Sequence, residues 1–216
     1  TSIGFLDNRI ELNVDYYKRN MFDLIGAVRT SGIGGQFIKT ANYADMRGEG
    51  IDAEIGGFPI RNDNFRWRTS LTYGYNLTEV KKLEVNSNLW NLVSAEGGAL
   101  VGGPHRGMYS INFERLSAER GYPMYTGPDG RPGQTYFWLQ DTDTEFLHYH
   151  GPIDPVHTGG FYNRMEYKNF SLSFLMKFSF GNYVRLQPAY SAAYSDIYNV
   201  SKDLINRWIY QGDERL

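Results

Sequence analysis

The chain of 216 residues contains no cysteine, which excludes a disulfide framework and thiol chemistry but fixes no compartment. It has no run of about eighteen apolar residues, so no helix of it can cross a bilayer and any spanning element must be a strand. Charge of one sign is also missing: the formal net charge is −2 and Lys and Arg are dispersed, which argues against a nucleic-acid surface. GxSxG, HExxH, GxGxxG and the phosphate-loop pattern GxxxxGK[ST] do not occur, so nothing points to an enzyme, a zinc centre or a cofactor. What remains is aromatic and glycine-rich, with 17 Tyr, 13 Phe and 24 Gly.

The aromatics are patterned. From Phe170 to Phe180 the apolar side chains Phe170, Leu172, Phe174, Met176, Phe178 and Phe180 take every second position, with Ser171, Ser173, Lys177 and Ser179 between them. Positions two apart lie about 200° apart on a helix, so this period belongs to a strand with one apolar face. The same alternation runs through residues 8–19 (Ile10, Leu12, Val14, Tyr16) and, less regularly, 43–58 (Ile51, Ala53, Ile55). It is cleanest in 64–78, where Phe65, Trp67, Thr69, Leu71, Tyr73 and Tyr75 oppose Arg66, Arg68, Ser70 and Thr72. Strands are therefore expected near 8–19, 43–58, 64–78, 161–180 and 183–195, the last two joined at Gly181-Asn182. Pro188 interrupts the fifth.

Connection lengths alternate in this scheme. The glycine-rich segment 25–42 is long, 59–64 short, 81–159 very long, and 181–182 short again. Membrane barrels have short turns at one rim and long loops at the other, and aromatic girdles like Phe65/Trp67 and Tyr73/Tyr75 at the two interfaces. The expected fold is all-β: antiparallel strands forming part of a large transmembrane β-barrel with long extracellular loops. The alternative is a soluble secreted β-rich module binding carbohydrate or peptide; burial of Phe170, Phe174 and Phe178 under a second sheet of the same chain would favour it.

Specific residues then point to a family. Gly159–Gly181 (GGFYNRMEYKNFSLSFLMKFSFG) resembles the "GG, then YKNFxLS, then FG" segment of SusC/RagA-like TonB-dependent outer-membrane transporters of Bacteroidetes. Tyr16–Ile25 (YYKRNMFDLI), Asn42–Ile55 with Phe65–Leu83, and Arg207–Glu214 (RWIYQGDE) resemble further stretches of that family in the same order. The resemblance implies uptake of glycan or peptide fragments across the outer membrane, with a SusD-like surface lipoprotein and the TonB complex as partners. It also implies that residues 1–216 are an internal piece of the C-terminal half of the barrel, without the plug domain. About 22 strands surround the plugged lumen of such transporters, so the rest of the barrel, its plug and lipid must complete this sheet.

In the loop 81–159, Trp90, Arg106, Tyr109, Tyr136 and Trp138 are the candidate substrate contacts, since aromatic platforms and directional donors suit amphipathic ligands. Packing of the loop on itself is the competing role. Asp141, Asp143 and Glu145 have part of a calcium-loop spacing but lack the glycine such a loop needs, which favours an exposed acidic edge. His148, His150 and His157 with Asp154 have no zinc spacing. Arg66, Arg68, Glu54 and Arg185 are expected on the lumen side, in mutual ion pairs or against the plug.

Overall fold

The computed structural model describes residues 1–6, 9–29, 38–84, 87, 89–134, 143–186, 197 and 199–213. In chain order the elements are β1 (Ser2–Phe5), β2 (Ile10–Arg29), β3 (Ile38–Arg61), β4 (Phe65–Leu83), α1 (Leu89–Val93), β5 (Gly107–Ser110), β6 (Phe113–Leu116), β7 (Pro123–Thr126), β8 (Pro132–Gly133), β9 (His148–Pro152), β10 (His157–Tyr167) and β11 (Phe170–Phe180), with a 3-10 turn at Lys202–Asn206. The chain divides into two units. The first is Thr1–Asn86 with Ala99–Gly107 and Gly151–Tyr183; the second is Ser87–Gly98, Met108–His150 and Val184–Leu216.

The first unit is an antiparallel sheet in the order β1-β2-β3-β4-β10-β11. Directly opposed residues of an antiparallel pair share a face, so the register decides whether the strands' apolar sides coincide. They do. One row across the sheet reads Leu12, Ile55, Leu71, Phe161, Met176, and the row two residues on reads Val14, Ala53, Tyr73, Gly159, Phe178. Between them lies Asn13, Glu54, Thr72, Gly160, Lys177 on the opposite face. Of the six strands' apolar side chains, only Ala44 and Val80 are buried among the described residues. Phe170, Phe174 and Phe178 are 80%, 40% and 37% exposed, so no second sheet covers them.

Aromatic rings close the apolar face at both ends. Phe65, Trp67, Tyr167 and Phe170 stand at one; Tyr75, His157 and Phe180 share a row at the other, where His157 stacks on Phe180 at 4.6 Å. The Tyr73 hydroxyl is hydrogen-bonded to Nδ1 of His157 at 2.7 Å. The rise from Phe65 to Tyr75 is about 33 Å at strand spacing, which a tilt of about 40° reduces to about 25 Å, the height of a barrel's apolar band. Beyond Tyr75 the strands carry charge, as in the Lys81–Glu79 and Arg47–Glu49 pairs at 2.6 and 3.6 Å. There Val80 exchanges backbone hydrogen bonds with Gly102 and Gly103.

The structure corrects three expectations. Residues 161–180 are not one strand but the hairpin β10–β11, turning at Lys168-Asn169, with Tyr167 opposite Phe170 and Lys168 at a φ of 51°. The apolar positions shift from odd (Phe161, Met165, Tyr167) to even (Phe170 onward) across that dipeptide, which is the signature of a two-residue loop. Second, Gly181 now lies at the long-loop end beside His157, and residues 182–186 are irregular, so the described start of the expected strand 183–195 is not a strand; residues 187–195 lie outside the described residues. Third, the first three long strands extend past 8–19, 43–58 and 64–78, to Arg29, Arg61 and Leu83, and strand order reaches into the glycine-rich segment 25–42. The alternation of connections survives in a new form. Leu6 and Arg9, residues 62–64 and residues 168–169 lie at one end, where Phe58 donates to the Arg9 carbonyl and Lys168 to that of Asn64. Arg29, Ile38, Leu83 and His157 end their strands at the other.

One polar pair sits within the apolar face. Asn163 is 1% exposed, and its Oδ1 accepts a hydrogen bond from the Trp67 indole at 3.0 Å, while its Nδ2 has no partner among the described residues. Trp67→Phe is expected to cost about 1–3 kcal/mol by orphaning the buried amide, and Asn163→Leu added to it to recover much of that. Urea titration of the two variants checks this.

Candidate functional site

The polar face of the sheet carries segregated charge. Arg66 and Arg164 both pair with Glu166, at 3.7 and 2.7 Å, and Arg68 stands directly across from Arg164. Like charges in direct opposition destabilise a sheet unless an anion or neighbouring dipoles offset them. These side chains and Phe58 line a hollow of about 260 Å³ near the short turns. Higher on β2 and β3 the same face is acidic, with Asp15 opposite Asp52 and Glu54 opposite Asn13. Arg66, Arg68 and Glu54 thus share one face, as alternation implied. Arg185 belongs to the second unit, where its guanidinium donates to the Tyr109 carbonyl at 2.6 Å.

Three of the five candidate substrate residues are described, and their settings differ. Trp90 projects from α1, 57% exposed, while Leu89 and Leu92 on the same short helix are buried. Arg106 belongs to the first unit and braces its loop: the guanidinium meets Asp154 at 2.7 Å, and its carbonyl accepts from Ile153 at 2.9 Å. Tyr109, in the second unit, is 5% exposed with its ring 5.2 Å from that of Tyr149. Burial first, and then Tyr149, pushes its hydroxyl up to about 12. Tyr136 and Trp138 lie outside the described residues.

Asp141 lies outside them too, and Asp143 uses Oδ1 to accept from the backbone of Glu145 at 3.1 Å. No cluster of three or more metal-type ligands occurs among the described residues. His148 and His150 stand edge to face at 4.6 Å, and Nε2 of His150 is 2.6 Å from the Ser110 hydroxyl. Burial, His148 and Arg185 hold the His150 imidazole below its ordinary range. His157 belongs to the aromatic girdle of the first unit instead.

The RWIYQGDE stretch has a structural explanation. Both Ile209 and Tyr210 donate backbone N–H groups to Asp213 at 2.9 Å, which keeps that carboxyl below its usual range. Trp208 lies over Gly121, where a Cβ would stand 2.4 Å from the indole. These residues fasten a loop; the contact with Gly121 could not have been found from spacing.

No protein-family model matches the chain. It is 26% identical over 233 residues to the TonB-dependent receptor P3 of Formosa agariphila, covering 95% of this chain and 22% of that protein. To the TonB-dependent receptor SusC of Bacteroides thetaiotaomicron it is 28% identical over 192 residues, covering 84% of this chain and 18% of the relative. Among solved structures, the RagAB peptide importer in its closed-closed state matches with a TM-score of 0.64 at 23% identity, over 84% of this chain and 20% of that one. The chain thus spans about a fifth of the length of these proteins. The relatives are receptors and transporters, and the structural match shows a shared fold.

Proposed function

We infer that this SusC/RagA-like segment of a TonB-dependent receptor is a stretch of barrel wall with outer loops, in a transporter that brings glycan or peptide fragments across the outer membrane. The observation that carries the reading is the six-strand apolar face, continuous in register yet exposed from Phe170 to Phe180. Lipid is the solvent that such a face requires, and the charged opposite face suits a watery lumen. A plug domain would fill that lumen and engage TonB in the periplasm, while a SusD-like lipoprotein would close over the long loops. Turns 62–64 and 168–169 would then face the periplasm.

These 216 residues contain no cysteine, so one introduced among them gives a local label against the background of the unmodified receptor. Cysteine placed at Gly130 in the complete receptor is expected to react with a membrane-impermeant maleimide on intact cells, and cysteine at Asn64 only after lysis. Equal labelling at both places would sink this reading.

Of the proposed substrate contacts, Trp90 is a described aromatic that stands exposed, on its short helix, and would stack on a substrate. Trp90→Ala is expected to weaken binding about tenfold. The check is a raised KM for TonB-dependent uptake at unchanged receptor level.

A further inference from the structure

We propose that the apolar face holds a glycerophospholipid, with an acyl chain in a hollow beside Gly57 and its phosphate against Arg9; this rests on the wall reading. The hollow measures about 490 Å³ and is lined mainly by Leu6, Ile10, Ile55, Pro59, Leu71 and Phe161. Its cause lies in one row of the sheet. There Gly57 pairs with Ile10 on one side and Thr69 on the other, so a glycine and a short threonine stand where neighbouring rows carry large side chains. Gly57 admits nothing bigger, because a Cβ would lie 2.2 Å from the Arg9 carbonyl oxygen. The register then shifts between Gly57 and Ile60, leaving Pro59 as the lower lip.

Two features select the occupant. The volume falls in the range of about 300–1,000 Å³ typical of small-ligand sites, and the wall is apolar, as a hydrocarbon chain requires. Arg9 lines the same hollow at the short-turn end, exposed, with no ion pair to a carboxylate among the described residues. Headgroup phosphates lie at that level of a barrel wall, and guanidinium–phosphate pairing is directional and strong. An apolar peptide or a second copy of the chain would fit the hollow but leave the cation unused.

The test is native mass spectrometry of the intact receptor, purified in detergent and titrated with phosphatidylglycerol. One retained lipid per receptor is expected. Thr69→Phe, which fills the hollow, and Arg9→Gln, a surface change that leaves the sheet intact, should each lower its occupancy about tenfold. Equal occupancy in wild type and both variants overturns the site, as does retention of a protein in place of the lipid. Recovery of the wild-type receptor in the soluble fraction would instead remove the wall reading, and the proposal with it.

Discussion

Phe174→Arg is expected to destabilise the membrane-inserted receptor by about 2–4 kcal/mol, whereas Leu175→Arg, one residue along, should change stability by no more than about 0.5 kcal/mol. The two positions are matched in almost every other respect. Both are apolar, both belong to β11, and they are 40% and 52% exposed. They differ in face: Phe174 is opposite Asn163 on the apolar side, Leu175 opposite Tyr162 on the polar side. In water an arginine at either place would be solvated and the costs would be similar. In lipid only the first must leave water, and near mid-band it has no short path for its guanidinium to the interface. Folding into phospholipid vesicles followed by urea titration measures the difference. Equal costs would return the sheet to the soluble binding module that alternation alone also allows.

That asymmetry was legible in the sequence because strand geometry writes itself into alternate positions. Phe65–Tyr75 and Phe170–Phe180 each present one apolar and one largely polar set, and no tertiary information is needed to see it. The hairpin at Lys168-Asn169 was legible too, but only through the odd-to-even shift of the apolar set, which a search for uninterrupted alternation passes over. The loop site was less so. Trp90, Arg106 and Tyr109 look equivalent as loop residues rich in binding chemistry, yet the structure exposes Trp90, ties Arg106 to Asp154 and buries Tyr109. The settings of Arg106 and Tyr109 involve partners distant in sequence, Asp154 and Tyr149, and composition carries no record of partners. The hollow beside Gly57 was hidden for the same reason, since it arises from three strands meeting in one row.

Gly159→Ala is expected to cost the sheet about 3 kcal/mol, and Gly160→Ala well under half of that, although the two glycines are adjacent in the GG that precedes the YKNF segment. A Cβ on Gly159 would lie 2.4 Å from the Thr72 carbonyl oxygen and 2.3 Å from Cζ of Phe178, whose ring covers the glycine from the neighbouring strand. One obstacle is backbone and cannot yield without moving β4; the other is the far end of a side chain and can rotate. At Gly160 the two nearest atoms are both side-chain tips, Leu175 Cδ1 at 3.3 Å and Thr72 Oγ1 at 3.4 Å, and both are able to give. Adding Phe178→Leu to Gly159→Ala should therefore recover only part of the loss, because the clash with the Thr72 carbonyl persists. Urea midpoints of the single and double variants in vesicles decide it. Full recovery by Phe178→Leu would show that the ring alone demands the glycine, and that β10 and β4 can part enough at this row to admit a methyl group.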